Sequence, residues 1–347
     1  MLRVVPLRDR DHLAEYHLHW QALAGDTPGL GCWQSLAAWW SLCDAPANGE
    51  PLVLAVLNGD RPLGFVPLWL ATESQRRVLR GGPWPEPLPW RCVGTQPTVV
   101  MLAAWRWLKQ DFHDWDQLEL PAIDVPGHDG GRALNTLRQV GYEPQIEWHT
   151  HGEVATDGEW LDFWYSRAHE TRNAVRWAEH KLAERGKLSF LRYRPLGKQA
   201  GDDEPHHEWL DACAEFNAQG WLPQTSAARA VHQAAVNAGE LDLSLLLLND
   251  RPVAVAYGTL HDGRVTIVGR GVSRDFAELD LTGVLIARLL GDSFERADTS
   301  VDLGPLDDAS REWAVSKSLR ATYQVWRRPT WKLAVHLPAW WETWTRS

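Results

Sequence analysis

A strand end and a helix start lie close together in RVTIVGRGVSRDFAELDLTGVLIARLLGDSF, residues 264–294. The strand ends in Gly269 and Gly271, positions where a missing side chain lets another backbone or an extended ligand approach. Thr282 and Gly283 then begin a helix, whose free backbone N–H groups and positive dipole end form a seat for phosphate. A ligand with an amide-bearing arm and a pyrophosphate would satisfy both ends, and coenzyme A is such a ligand.

The candidate co-substrate site therefore comprises Gly269, Gly271, Val272, Thr282, Gly283 and Val284. A simpler interpretation is that Asp280 or Thr282 caps the helix and that the glycines mark bulges, because Thr-Gly alone is a weak motif. Both interpretations are open at the level of these residues.

Histidine spacing does not predict a metal site. His149 and His151 form an H-x-H pair, and His206 and His207 adjoin Glu208, but neither group has a third ligand at a recognisable spacing. The sequence predicts no bound metal.

The elements that must position the candidate site follow from hydrophobic periodicity and turn residues. Helices are predicted at residues 160–185, 206–217, 227–237, 282–296 and 308–319, and strands at residues 241–248, 253–261, 264–272, 300–303 and 321–327. This order differs from a doubly wound nucleotide fold, because a central strand ends beside a helix start.

An internal repeat relates the two halves of the chain. GEPLVLAVLNGDRPLGFVPLWL, from Gly49, and GELDLSLLLLNDRPVAVAYGTL, from Gly239, both read as two strands joined by a turn that contains Asp-Arg-Pro. Each hairpin follows a helix-like segment, at residues 35–42 and 227–237. Shared order and shared turn residues indicate a duplication.

The fold class predicted from this pattern is α/β (α+β), with two related halves that each have a mixed, mostly antiparallel sheet flanked by helices. Residues 144–158 lose periodicity and collect Gly, Asp and Thr, which places the boundary there. The predicted domains are residues 1–150 and residues 151–347, and the second carries the candidate site.

Composition narrows the class of protein. The chain has 347 residues, 44% of them hydrophobic and 23% charged, and no run approaches the roughly 18 apolar residues of a membrane helix. The N-terminal residues lack a secretory signal, so we expect a cytoplasmic protein. The four scattered cysteines read as reduced, mostly buried thiols. A formal charge of −10 disfavours nucleic acid as a partner.

The second half resembles the GNAT acyltransferases, specifically the group named after CelD and BcsL, which is linked to cellulose or exopolysaccharide synthesis in bacteria. More distantly it resembles the Fem aminoacyltransferases, which also have two GNAT-like halves. The residues that carry the resemblance are TRNAVRWAEHKLAERGKLSF, Trp221 and LLLLNDRPVAVAYGTLHDGRVTIVGRGVSRDF, with CWQSLAAWW and LNGDRPLGFVPLWL in the first half. It spans roughly residues 30–315 and consists of short motifs.

This resemblance implies acyl transfer, which needs a positioned nucleophile, a route for its proton and donors for the developing oxyanion. Asp302, at the end of the strand in VDLG, is the candidate general base if desolvation raises its pKa. The alternative is a carboxylate that caps the next turn or pairs with an arginine. His232 and His261 are weaker candidates for proton transfer.

Two departures from the family pattern bear on activity. Leu281-Thr282-Gly283 stands where the family commonly has Ser-Pro-Gly, which keeps a hydroxyl and a glycine. Ala309-Ser310 stands where the family commonly has Tyr-Lys ahead of a Trp, here Trp313. This second departure removes two polar groups from the expected site.

The expected function is therefore transfer of an acyl group, with acetyl favoured, from CoA to a hydroxyl or amine of a carbohydrate-related or other small acceptor. The alternatives are a Fem-like transferase that uses aminoacyl-tRNA and a GNAT-like scaffold without turnover. The basic segment of residues 167–194 is a candidate grip for anionic ligands or a solvated helix face. The Trp-rich residues 337–347 are candidates for contact with a membrane surface or for core packing. The sequence predicts no oligomeric state.

Overall fold

The computed structural model describes residues 2–24, 49–73, 75–81, 90–125, 128–216 and 226–328. The strands are β1 (Leu2–Leu7), β2 (Glu50–Asn58), β3 (Arg61–Glu73), β4 (Arg76–Arg80), β5 (Val93–Gly94), β6 (Gln117–Asp124), β7 (Gln145–Ala155), β8 (Leu188–Tyr193), β9 (Leu241–Leu248), β10 (Arg251–His261), β11 (Arg264–Val272), β12 (Ser300–Pro305) and β13 (Ser316–Trp326).

The helices of the described residues are α1 (Arg10–Glu15), α2 (His17–Ala24), α3 (Pro97–Gln110), α4 (His128–Gln139), α5 (Trp160–Ser166), α6 (His169–Arg185), α7 (His207–Glu215), α8 (Ser226–Ala238), α9 (Leu281–Glu295) and α10 (Asp308–Arg311). The helix predicted at residues 35–42, together with Cys32, Cys43, Trp221 and residues 337–347, lies outside the described residues.

The strands form a 13-stranded sheet in the order β1-β2-β3-β4-β6-β13-β7-β12-β11-β10-β9-β8, with β5 paired to β3. Each half contributes four consecutive antiparallel strands, β1 to β4 and β8 to β11. Each set then continues in a parallel pair, β4 with β6 and β11 with β12. The same topology therefore occurs twice, as the repeated hairpin predicted.

The repeated hairpins are β2–β3 and β9–β10. In the second, Asn249 and Asp250 both have positive φ, at 53° and 61°. Two consecutive left-handed residues are the geometry of the tight turns that match strand twist, and Asn and Asp tolerate it better than most residues. In the first hairpin Gly59 is the turn residue with positive φ, at 61°.

The middle of the sheet is built by an exchange between the halves. β13 lies between β6 and β7, and its pairing with β6 runs from Arg320 opposite Asp124 to Trp326 opposite Gln117. β7 pairs on its other side with β12. A division of the chain at residue 150 stays a prediction, and it places the boundary within β7.

Three predictions of secondary structure are wrong. Residues 144–158, expected to be irregular, contain the 11-residue strand β7. The helix expected at residues 308–319 is the single turn α10, after which β13 begins at Ser316. The helix expected at residues 160–185 is two helices, interrupted at Arg167 and Ala168. In β7 and β13 the pairing of neighbouring strands on both sides outweighs weak local periodicity.

Helices cover both faces of the sheet. On one face, apolar side chains of β2, β3, β6 and β13 pack on α3 and α4, and those of β9 to β12 pack on α6 and α9. On the other face, α1 and α2 cover the first half, while α7 and α8 cover the second. Within α8, Val236 packs with the second half and Ala234 with the first, so this helix touches both cores.

Candidate active site

β11 and β12 separate beside the N-terminal end of α9. Their parallel pairing runs from Arg264 opposite Ser300 to Thr266 opposite Asp302 and then stops. Just beyond, the register between β10 and β11 shifts, so that Val268 is an extra residue and forms a bulge. We call the gap that opens after Thr266 and Asp302 the strand wedge. Backbone groups of β11 beyond Thr266 are not paired with β12.

Arg270 lies on β11 beyond this separation, and its side chain reaches across the strand wedge to Asp307, which follows β12. Its Nη2 is 3.0 Å from a carboxylate oxygen of Asp307, and its Nη1 is buried without a hydrogen-bond partner. Burial raises the pKa of Asp307, but the Arg270 charge and hydrogen bonds from Ser310 outweigh it and leave that pKa lowered. A buried, unpaired guanidinium nitrogen is costly, so it is suited to a carbonyl or anionic group of a ligand.

The first turn of α9 is already capped. Asp280 is the N-cap, and its Oδ1 accepts the Gly283 N–H at 2.8 Å, while the Val284 N–H donates to the Asp280 carbonyl at 3.1 Å. A Cβ placed on Gly283 would lie 2.1 Å from the Asp280 carboxylate. The cradle predicted for a pyrophosphate therefore holds a carboxylate, and the residues of this turn do not fit a diphosphate in this state.

The other predicted binding residues also have structural roles. A Cβ on Gly271 would lie 2.3 Å from the carbonyl oxygen of Phe216, so this glycine admits the end of α7. The Val284 side chain is fully buried in the core beneath α9, which prevents it from contacting a ligand. Gly269 and Val272 pair with β10, and Thr282 is half-buried at the second position of α9.

Asp302 is buried and fully engaged. Its Oδ1 accepts the Gly304 N–H at 2.9 Å and lies 3.1 Å from His151 Nδ1, and its Oδ2 forms an ion pair with Arg320. Burial by itself raises the pKa of Asp302, but the hydrogen bond with His151 and the Arg320 charge outweigh it, so that this pKa is lowered. The condition for Asp302 to act as the base, a raised pKa, is not met.

Sequence reasoning offered a turn cap or an arginine partner as the alternative role of Asp302, but it did not identify Arg320 and it missed His151. His151 lies on β7, Asp302 on β12 and Arg320 on β13, with 2%, 0% and 5% of their surfaces exposed. The sequence H-T-H-G-E at residues 149–153 alternates so that His149, His151 and Glu153 share one face of a strand. This alternation indicates a polar face only once residues 145–155 are known to form a strand.

These three residues belong to a wider polar area, which we call the central polar surface: His149, His151, Glu153, Thr266, Asp302, Ser318, Arg320 and Thr322. Strand alternation puts Asp302 on the face opposite Val301 and Leu303, which are in the core beneath α9. Register carries this face from Asp302 to Glu153 on β7 and from His151 to Ser318 on β13. Polar side chains thus line the sheet between the cores of α1–α2 and α7–α8.

The remaining histidine candidates are accounted for by packing. His232 is buried, with Nδ1 3.2 Å from the Tyr257 hydroxyl and Nε2 bonded to the Pro205 carbonyl. Burial lowers the pKa of His232 to about 4. His261 lies at the end of β10, with Nε2 3.1 Å from Asp262. His149 bonds to Thr322, so the two histidines of the H-x-H pair have separate partners.

Within the part of the chain that the structure describes, four of the eight basic side chains in residues 167–194 form ion pairs: Lys181, Arg185, Arg192 and Arg194. Arg192 and Arg194 form a buried network with Asp242 and Asp298, in which Arg194 contacts both carboxylate oxygens of Asp298 at 2.8 and 2.6 Å. Exposed members of the segment pair with acidic neighbours, as Arg185 does with Glu278. These ion pairs account for much of the local positive charge.

The corresponding position in the first half is closed. After β4 and β6 pair, the Gly81 N–H donates to the Glu119 carbonyl at 2.8 Å and the Trp90 N–H to the Pro121 carbonyl at 3.3 Å. A Cβ on Gly81 would lie 2.3 Å from the Trp90 ring. Trp90 therefore fills the first-half counterpart of the strand wedge.

Comparison with known proteins agrees with this fold. Residues 169–313 match the family model described as an acetyltransferase (GNAT) domain. No curated protein sequence matches the chain. The chain has the topology of a tandem GNAT fold, in which two similar units form a mixed, mostly antiparallel sheet flanked by helices.

Three solved structures illustrate the similarity. The crystal structure of FemX has a TM-score of 0.57 at 12% identity and covers 91% of this chain and 98% of that one. A tandem GNAT protein from the clavulanic acid biosynthesis pathway has a TM-score of 0.54 at 14% identity, with 95% and 99% covered. A conserved protein of unknown function from Bacteroides thetaiotaomicron has a TM-score of 0.50 at 12% identity, with 93% and 99% covered.

Proposed function

We propose that the protein is an acyltransferase that moves an acyl group, with acetyl as the first candidate, from CoA to an amine or hydroxyl of a carbohydrate-related or other small acceptor. The observation that carries this proposal is the strand wedge beside the central polar surface. Its unpaired strand edge can align an extended, amide-bearing donor, and the polar side chains beside it can orient an acceptor. The resemblance to the CelD and BcsL group supports a saccharide acceptor.

The contribution of the chain is binding and orientation. The edge of β11 beyond Thr266 offers backbone donors and acceptors, and Arg270 offers a buried guanidinium nitrogen without a partner. Holding donor and acceptor together in one geometry lowers the entropic part of the barrier. Acyl-CoA, when bound, would supply a thioester whose carbonyl carbon is open to attack.

A substitution at Asp280 tests whether the diphosphate of an acyl-CoA donor binds at the start of α9. Its carboxylate holds the Gly283 amide, so a diphosphate reaches this helix end only after the side chain rotates away. Asp280→Asn keeps a hydrogen-bonding cap but removes the negative charge. If the diphosphate binds there, we expect Asp280→Asn to tighten acetyl-CoA binding, because a helix N-terminus attracts anions and the carboxylate repels them.

The decisive measurement is calorimetric or thermal-shift titration of the wild type and Asp280→Asn with acetyl-CoA, longer acyl-CoAs and S-acetyl-N-acetylcysteamine, a thioester without a diphosphate. Selective binding of acyl-CoA and of this short thioester, with tightening of acyl-CoA alone in the variant, supports the proposal. Unchanged acyl-CoA affinity in Asp280→Asn would mean that the diphosphate sits elsewhere. Gly283→Asp is a poor test, because its side chain would collide with the existing cap.

An aminoacyl-tRNA donor is the second candidate, and the same Asp280 cap favours it, since such a donor places no CoA diphosphate at α9. A steeply salt-dependent affinity for charged tRNA, without acyl-CoA binding, would select it. A scaffold role is favoured by Ser310, which is buried in a capping box with Asp307 at the family's Tyr-Lys position. CoA binding without turnover across amine and hydroxyl acceptors would select that role.

A further inference from the structure

His151 and Asp302 form a buried pair that joins two neighbouring strands distant in the sequence. His151 lies on β7, which begins before the predicted boundary at residue 150, and Asp302 lies on β12. His151 Nδ1 lies 3.1 Å from Asp302 Oδ1, which is hydrogen-bond distance. The exchange of strands at the centre of the sheet brings them together.

The ionised Asp302 determines which imidazole nitrogen carries the proton. Since the pKa of Asp302 is lowered, its carboxylate stays charged at neutral pH and acts only as an acceptor. The neutral His151 ring must then place its proton on Nδ1, which leaves the lone pair of Nε2 available. Within the described residues, His151 Nε2 has no hydrogen-bond partner.

The pair lies where the strand wedge opens. His151 is in register with Pro305, directly after Gly304, and a Cβ on Gly304 would lie 3.2 Å from the Ile267 carbonyl on β11. Asp302 is the last residue of β12 that pairs with β11. A base at His151 is therefore one strand away from the edge along which the donor is proposed to lie.

Charged groups of both signs surround the pair. Arg320 is ion-paired with Asp302 Oδ2, and Arg264 lies 3.8 Å from that oxygen and 3.2 Å from Glu153. His149, the next histidine on the same face, is bonded to Thr322. Asp302 is thus the carboxylate in contact with His151, and its charge stabilises an imidazolium as well as orienting the ring.

We propose that His151 is the general base of the acyl transfer and that Asp302 is its positioning residue, an inference that rests on the proposed function. As the acceptor nitrogen or oxygen forms its bond to the acyl carbon, its proton passes to His151 Nε2. When the bond from the acyl carbon to the donor breaks, the leaving group receives that proton. The histidine returns to its neutral form, and no other reactant is consumed.

The first test is the pH dependence of kcat/KM for wild type, His151→Gln, Asp302→Asn and His180→Gln. Loss of a general base lowers the rate by about 10²–10⁴-fold, so we expect this loss in His151→Gln together with loss of the acidic limb of the profile. In Asp302→Asn the acidic limb should move to lower pH, because an imidazolium without its carboxylate gives up its proton more readily. His180→Gln, on the exposed side of α6, is the matched control and should keep the wild-type profile.

The second test does not depend on turnover. Long-range proton–nitrogen correlation spectra of protein with ¹⁵N-labelled histidine, assigned with His151→Gln, report the tautomer of each imidazole. We expect the Nδ1–H form for His151. If Asp302→Asn fails to fold, His151→Gln and the tautomer still decide the matter.

The outcomes separate this inference from the proposed function. A folded His151→Gln with the wild-type rate and pH profile, or an Nε2–H tautomer at neutral pH, overturns the role of His151. Absence of transfer by the wild type with every donor overturns the proposed function and the base role with it. An Nδ1–H tautomer in that case would still establish the oriented pair as a structural feature.

Discussion

The glycines of the candidate site differ in what their missing side chains admit. Gly271 makes room for the Phe216 carbonyl, and Gly283 makes room for the Asp280 carboxylate. Gly304 has a φ of +81°, a conformation that L side chains rarely adopt, and it donates its N–H to Asp302. Of these three, Gly304 is the one whose backbone geometry positions a polar side chain at the strand wedge.

His232 predicts how stability depends on pH. Its pKa is lowered to about 4, from the usual histidine value of 6.5, because burial disfavours the charged ring. The unfolded chain therefore binds the proton first, and stability is lost as pH falls from 6.5 towards 4. At about 1.4 kcal/mol per pKa unit, this histidine accounts for a loss of the order of 3 kcal/mol in unfolding free energy.

Urea unfolding between pH 4 and pH 8 checks this prediction. His232→Gln should lose less stability across that range than the wild type, and the difference between the two curves should become constant below pH 4. His180→Gln, with 72% of its side chain exposed, should follow the wild type. Parallel curves for wild type and His232→Gln would mean that the ring is not buried in its neutral form.

At the scale of elements, the parallel pairs β4–β6 and β11–β12 differ in how they continue. β11 and β12 separate and leave an edge free, whereas Gly81 and Trp90 continue the hydrogen bonding along β6. The Trp90 indole N–H also donates to the Pro67 carbonyl at 3.1 Å. The duplicated fold thus keeps one wedge open and uses the other as part of the core.

Trp90→Ala tests whether Trp90 is core. The side chain has 1% of its surface exposed, so its removal should lower the unfolding free energy by about 3–5 kcal/mol. Trp148→Ala is the control, because that side chain is 53% exposed and its loss should change stability by about 0.5 kcal/mol or less. Chemical denaturation measures both. A Trp90→Ala protein as stable as the control would show that the first-half wedge is not packed.

Sequence patterns predicted the elements whose signals are local. Turn residues located both hairpins, and period-3.6 apolar residues located α9 with one residue of difference at each end. β7 and β13 were missed or shortened because their identity depends on pairing with strands distant in the chain. The pair of His151 and Asp302 was missed for the same reason, since it exists only when those strands are adjacent.

Asp302 and the residues of α9 show a different limit of the sequence. The types at positions 280–284 fit either a phosphate seat or a capped helix, and the choice depends on where the Asp280 side chain points. Likewise, burial alone would raise the pKa of Asp302, and only the positions of His151 and Arg320 reverse that direction. Side-chain geometry, which spacing does not encode, decided both.

At the scale of the whole molecule, the sheet runs through both halves without interruption. Among the helices of the described residues, none is long and apolar enough to cross a membrane. Cys92 and Cys213 are buried cysteines, as predicted, and burial raises the pKa of Cys213 to about 12. The Cys213 thiol is therefore not suited to act as a nucleophile near neutral pH.

A disulfide tests the connection between the halves. Gln324 on β13 is the register partner of Glu119 on β6. Partners in an antiparallel pair lie about 4.5–5.5 Å apart at Cα, within disulfide range. We expect Gln324→Cys with Glu119→Cys to form a disulfide in the folded protein, detected by peptide mapping under non-reducing conditions.

The matched control replaces Glu119 and Ser316. Ser316 is on β13 as well but pairs with Glu153 on β7, at the far end of the strand, and should not be linked to residue 119. Equal cross-linking in both double variants would indicate that β13 does not occupy the described register. Cross-linking in neither would place β13 away from β6.

The exchange of β7 and β13 also bears on biosynthesis. β6 ends at residue 124, but its partner β13 begins only at residue 316, so a nascent chain exposes that open edge throughout most of translation. Unpaired edges promote aggregation, and domains usually fold in order as they emerge from the ribosome. Here the earlier half completes its sheet only after the later half has been made, so we expect this edge to be a site of aggregation or chaperone binding during synthesis.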